Sequence, residues 1–466
     1  MSIATKLTAL SGHITNAYDA VSTKGGTIPA NKNMANLDDA ILSIPSGGGE
    51  VTNGVIEQHA ATGGNIPANT FVEIIADFSD VTASSATGLY EVGTSRASSR
   101  RSTTVAVLDE THVFVTFLQQ GKTYGAVCAI SGDSITPGAA VQLTAYSNSA
   151  STVSSLALDE STVFVTYRSG ASERSAVVCS ISGDAVTVNT PVALTGMAFG
   201  LHSNAAILDN GDVLVVDGGN QMKAVVLTIS GTTITAGSVT DVANVSTYYS
   251  ADYERVGLDV VSAGSAVIAY HQNSTQYLAA KVLTISGTTI TAGSEVTLTS
   301  STVTGVLVKS LSAESVLIAY ETGASAQTVT CSVSGDTLVA GEIATVGINN
   351  YAMNVIDVDA KTFLLGYSEA MSSSKLTIVP CTINGGAATI GQPVSISGAS
   401  WYDRHLGALN AQRILDAGVN RSNVFQARFL DASLLVSPSQ TKIDGLTAED
   451  ITMGEAGDVW VLNAGA

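Results

Sequence analysis

Residues 155–192 read SLALDESTVFVTYRSGASERSAVVCSISGDAVTVNTPV. Four apolar, β-branched stretches stand out: Ser155–Leu158, Val163–Tyr167, Ala176–Ile181 and Ala185–Val192. Between them lie an acidic turn, Asp159-Glu160, a polar segment around Gly170, and a second turn, Ser182-Gly183-Asp184. Alternate residues of a strand point to opposite faces. Val163, Val165 and Tyr167 therefore face one way, and Phe164 and Thr166 the other. Both faces are largely apolar, which predicts a sheet covered on both sides.

The same unit recurs along the chain. The strand-then-turn ending returns at Ile130-Ser131-Gly132-Asp133, Ile181-Ser182-Gly183-Asp184, Ile229-Ser230-Gly231, Ile285-Ser286-Gly287, Val333-Ser334-Gly335-Asp336 and Ile383-Asn384-Gly385. These glycines are 51, 48, 56, 48 and 50 residues apart. Weaker copies stand at Phe78-Ser79-Asp80 and Phe429-Leu430-Asp431. The acidic turn and its aromatic-ended strand also recur, as in Leu108-Asp109-Glu110 before Val113–Phe117, with degenerate copies at Asp416 and at Asp458-Val459-Trp460. A period near 50 with four strands per unit is the mark of a propeller blade.

Eight copies in each series predict an all-β propeller of about eight four-stranded blades, with seven as the alternative. The expected span is 50–466. The first repeat signal, Phe71–Phe78, resembles a third strand, and the last, Val459–Leu462, a second strand. The final blade is therefore expected to be built from both chain ends.

Composition agrees. The chain has 466 residues, with 44 Gly and only 8 Pro, as many tight turns require. Acids exceed bases 39 to 20, a net charge of −19, which argues against a nucleic-acid binder. Residues 1–20 carry no basic-then-apolar export signal, and no run is long and apolar enough to span a membrane. A cytoplasm-made protein without membrane insertion is expected.

Residues 1–49 differ from the rest. Ile3, Leu7, Leu10, Ile14, Ala17 and Val21 recur at alternating steps of 4 and 3, a heptad seam. Packing of one amphipathic helix within its own domain would give the same pattern. A second short helix is predicted from Asn33 to Ile44, stopped by Pro45, and Gly47-Gly48-Gly49 reads as a linker. This segment is expected to be a helical attachment and oligomerisation stem.

Cys128, Cys179, Cys331 and Cys381 each lie four residues before a turn glycine, where other units carry Leu227 and Leu283. They read as buried apolar thiols, not disulfides or metal ligands. No cofactor or metal site is expected. No nucleophile elbow, zinc motif or phosphate loop occurs, and the six histidines are scattered, so a non-catalytic protein is expected. A propeller glycosidase or lyase is the alternative: Glu455–Trp460 faintly resembles the Asp-box turn of sialidases, though Glu455 replaces its Asp.

In a four-stranded blade the first–second and third–fourth turns share one rim of the disc. The second–third loops and blade links share the other. The first set is uniform here, and the second varies and is aromatic-rich. Its candidate ligand-binding residues are Trp401, Tyr402, His405, Tyr248, Tyr249, Tyr253, Phe199, His202 and Tyr351, with Tyr90, Tyr124, Tyr146, His271 and Tyr277 also on its links and loops. Aromatic faces beside polar groups suit a sugar or a protein surface.

Gly26–Asn33 and Asn36–Pro45, echoed at Gly64–Asn69, resemble the N-terminal module of structural proteins in phages and prophages of Gram-positive bacteria. The resemblance covers about 50–70 residues. It implies a tail-fibre or receptor-binding protein of a virion, held to other virion proteins through residues 1–45 and released by lysis. A homotrimer and a host-surface glycan or protein as receptor follow from it, with neutral targets favoured by the acidic charge. A purely structural virion or head-fibre protein is the alternative.

Overall fold

The computed structural model describes residues 56–61 and 71–92, most of 103–438, and 445–447 and 456–461. Every helix or strand among them is a strand, and no helix there is long and apolar enough to cross a membrane. The predicted stem, with Ile3, Leu7, Leu10, Ile14 and Val21, lies outside the described residues.

The chain divides into two compact units, 75–434 and a smaller one made of 1–74 with 435–466. The large unit is a β-propeller. Its first blade is an antiparallel meander of Thr104–Val107, His112–Gln119, Lys122–Ser131 and Ser134–Pro137. Val113 pairs with Val107 on one side and with Cys128 on the other. Ile130 pairs with Ile135 across the last turn. The later blades begin at Ser154–Asp159, His202–Ile207, Val256–Ser262, the latter half of Val296–Ser312, Tyr351–Asp357 and Trp401–Ala408. Two of these meanders form one eight-stranded sheet, because the single strand Val296–Ser312 leaves one blade and begins the next.

These inner strands are neighbours in an unbroken cycle: each touches the next, and the Trp401–Ala408 strand touches Thr104–Val107. The described ring thus holds seven blades, not eight. The surplus copy in each repeat series comes from a strand near a chain end that starts no blade of its own. Phe78-Ser79-Asp80 lies inside the long strand Phe71–Ala83 and ends no third strand. Val459 belongs to Ala456–Val461, which pairs with Ile56–Ala61 and Gly445–Thr447 in the smaller unit. The ring is accordingly shorter than the expected 50–466.

Closure does use both chain ends: the latter half of Phe71–Ala83 runs beside the third strand Val424–Pro438 as the outer strand of the seventh blade, with Ser84 N donating to Phe429 O at 3.0 Å and Phe78 packed with Leu430. Thr87–Glu91 then continues along the same third strand (Thr87 opposite Ala427, Glu91 opposite Val424), the place that Val192–Ala193 takes in the second blade. Phe71 instead pairs with Leu446 in the smaller unit.

Burial on both sheet faces follows the alternation. Seven apolar clusters form, one for each junction between blades. Val163, Val165 and Tyr167 join Phe114 and Val127 of the first blade, while Phe164 joins Val213 and Val215 of the third. Cys128, Cys179, Leu227, Leu283, Cys331, Cys381 and Leu430 occupy one repeated position, each facing the preceding blade. All four cysteines are free and buried, at the position that Leu fills in the other three blades.

The third–fourth turns need a left-handed residue. Gly132, Gly183, Gly231, Gly287 and Gly335 have φ between +55° and +60°, which explains their even spacing.

Candidate functional site

The two rims of the ring are built differently. On one rim, side-chain oxygens close the first–second turns. Asp159 accepts hydrogen bonds from Ser161 N (2.7 Å), Ser161 Oγ (2.8 Å) and Thr162 Oγ1 (2.7 Å). Asp109, Asp359 and Asn410 accept backbone bonds in the same way. The Thr162 hydroxyl, with the Ser161 donors, holds the Asp159 carboxyl below the usual carboxylate range. These acids are turn caps. Among the described residues no group of three or more His, Cys, Asp or Glu could hold a metal ion.

The opposite rim carries the links and second–third loops. Among the described residues, Tyr124, Tyr146 and Tyr277 are half-exposed there. The Tyr146 ring lies under the Arg168 guanidinium at 5.4 Å, and Arg168 Nε donates to Gly170 O at 2.9 Å. The Tyr124 hydroxyl donates to Gln142 Oε1 at 3.2 Å, and Tyr277 leads the third strand of its blade. Arg168 went unread in the sequence because it is an ordinary strand-end charge until the fold sets it over Tyr146.

Trp401 is not presented on that rim. It is 2% exposed, and its Nε1–H donates to Gln426 Oε1 at 3.2 Å. The guanidinium carbons of Arg404 and Arg428 stand 5.0 and 5.7 Å from its ring centre. Both arginines are buried and pair with the fully buried Asp416, at 3.3 Å from Arg404 Nε and 2.9 Å from Arg428 Nε. Asp416 occupies the strand position held elsewhere by Val115, Val165, Val215, Ile268, Ile318 and Leu365. Desolvating these charges requires both partners. Trp401 is thus the apolar lid of the buried Arg404–Asp416–Arg428 cluster, one of two buried ion-pair sites with Arg174–Asp217 among the described residues.

Tyr90, a link aromatic in the sequence, also turns inward. It stacks on Phe117 (centroids 4.4 Å apart), and its hydroxyl donates to Gly138 O at 2.9 Å. Of the other candidates, His202, Tyr351 and Tyr402 stand on inner strands, with side chains outside the described residues. Phe199, Tyr248, Tyr249 and Tyr253 lie outside them altogether. His405 is half-buried and lines a cavity of about 230 Å³ on the ring axis. The structure therefore does not gather Trp401 and His405 into one exposed site.

No family model matches the chain, and no curated protein matches it. Solved structures do resemble it. A protein from Lactobacillus plantarum is 14% identical, with a TM-score of 0.47 over 63% of this chain and 85% of that one. A Hadza microbial sialidase is 9% identical, with a TM-score of 0.44 over 76% and 68%. An Aleuria aurantia lectin in complex with Fucα1-6GlcNAc is 12% identical, with a TM-score of 0.39 over 65% and 98%.

Proposed function

We propose that this chain is a non-catalytic recognition protein, the host-binding appendage of a phage or prophage particle. Its variable rim contacts a neutral glycan or a protein on the host surface. Residues 1–45 attach it to other virion proteins and hold a trimer. The observation that carries the reading is the contrast between rims. One rim repeats the same capped turns, while the other carries links of differing length and half-exposed aromatics. Variable loops on a rigid scaffold are where recognition usually sits. The phage attribution is supported by the sequence resemblance of residues 26–45.

The Tyr146–Arg168 pair is the described feature best suited to contact. Tyr146→Ala should weaken binding to host cells about tenfold, the equivalent of about 1.4 kcal/mol. Asp159→Ala on the uniform rim should leave it unchanged. The reverse pattern, with loss in Asp159→Ala alone, would place recognition on the other rim. Absence of the chain from purified virions would refute the particle assignment. Sizing with light scattering tests the stem: a chain beginning at Glu50 should be monomeric where the full chain is trimeric.

A further inference from the structure

The axial cavity has an order that the loops do not. Thr104, Ser154, Asn204, Gly257, Leu307, Asn354 and His405 each lie five residues before the first residue of their blade's first turn, and each pairs with the same position of the second strand. They form one rung around the axis. The polar members occupy five consecutive blades, running Asn354, His405, Thr104, Ser154, Asn204 across the ring closure. The other two blades contribute Gly257, which has no side chain, and Leu307, with Leu258 and Val308 beside them. Val105, Val153, Leu156, Ala205, Met353 and Val355 of the same five blades also line the cavity, so the division into a polar arc and an apolar wall holds at the rung.

The rung is also braced. Thr104 Oγ1 bonds Thr116 Oγ1 and Ser155 Oγ, both at 2.5 Å. Asn204 Nδ2 donates to Val256 O at 3.3 Å, and Asn354 Nδ2 to Arg404 O at 3.0 Å, each on the following blade. These bonds fix the rotamers before any ligand arrives, which lowers the ordering cost of binding. A carboxamide has two donors and two acceptor lone pairs. Asn204, whose Oδ1 also accepts from Ala205 N at 3.0 Å, keeps one of each.

From this we infer a ligand site in the axial channel for a small neutral polyhydroxylated molecule of monosaccharide size. Among the described residues no Asp, Glu, Lys or Arg lines the cavity, so a charged ligand would lose its hydration without a partner. The volume, about 230 Å³, lies below the range of drug-sized pockets. A pyranose has hydroxyls around its edge and an apolar C–H face, matching the arc and the wall. The inference is independent of the host-surface reading, since the channel lining and the Tyr146 rim can be tested separately.

Saturation-transfer NMR on the full chain tests it, with D-glucose, D-galactose, N-acetyl-D-glucosamine and D-glucuronate as probes. At least one neutral sugar should receive saturation from the protein, and glucuronate should not. His405→Leu should abolish the signal. The isosteric Thr104→Val should raise Kd about tenfold, and Asp159→Ala, in a turn cap away from the channel, should leave it unchanged. A thermal melt reports whether each variant folds. If His405→Leu does not, Thr104→Val decides. No transfer to any neutral sugar, transfer to glucuronate as strong as to the neutral sugars, or undiminished binding in the folded channel variants would overturn the assignment.

Discussion

Asp416 shows how a single position departs from its repeat. Six blades place an aliphatic side chain there, but the seventh holds a carboxylate between two buried guanidinium groups. Removing one partner of a buried ion pair strands the other charges, a loss of about 3–5 kcal/mol. Asp416→Val should destabilise by that amount in urea titration. The triple variant Arg404→Val, Asp416→Val, Arg428→Ala restores the pattern of the other blades and should recover most of it. A triple variant no more stable than Asp416→Val would mean that the charges are required by their surroundings. The cysteines make the opposite point, because they follow their repeat. Burial pushes all four thiols up, to about 12. At pH 8 only about one in 10⁴ is thiolate. A thiol reagent should find none reactive in the native protein within minutes and four after denaturation. Fewer than four would reveal a disulfide.

At the scale of elements, the closing strand Thr87–Glu91 has the most to do in the fewest residues. It contributes one ladder and one ring, that of Tyr90, stacked on Phe117 across the junction between the last and first blades. Tyr90→Ala removes the stack and the bond to Gly138 O and should cost about 2–4 kcal/mol. Urea unfolding measures it, and a neutral effect would mean that closure does not depend on this strand. The first–second turns obey a pH rule. Asp159 has a folded-state pKa below its unfolded value, so its contribution is present above about pH 4 and is lost as pH falls through the lowered folded value. Asn410 caps the corresponding turn of the seventh blade with a carboxamide. Asp159→Asn should therefore keep the Tm at pH 7 and lose less of it than wild type on acidification to pH 3. An equal loss in both would place the acid sensitivity elsewhere.

Over the whole molecule, stability is held at the seven junctions. Second strands such as Thr162–Arg168 are buried along nearly all their length on both faces, whereas fourth strands such as Ala185–Val188 are half-exposed or exposed. Backbone amides open where few apolar contacts hold them. Hydrogen exchange should be slowest in the second and third strands of every blade and fastest in the fourth strands. Uniform protection from inner to outer strand would contradict this arrangement.

The sequence by itself determined the propeller, its four-strand unit, its turn glycines and the burial of its cysteines. Each depends on a short-range period, two residues along a strand and about 50 between units, that side-chain chemistry displays directly. It overcounted the blades, because a terminal strand such as Val459–Val461 carries the same apolar alternation as a blade strand. Only its partners, Ile56–Ala61 and Gly445–Thr447, exclude it from the ring. The tertiary structure likewise decided that Trp401 is buried, that Arg168 covers Tyr146, and that seven residues about 50 apart meet as one rung. Those facts depend on contacts between distant blades. The local sequence sets which way a side chain points from its strand, whereas the closing of the ring decides what it then meets.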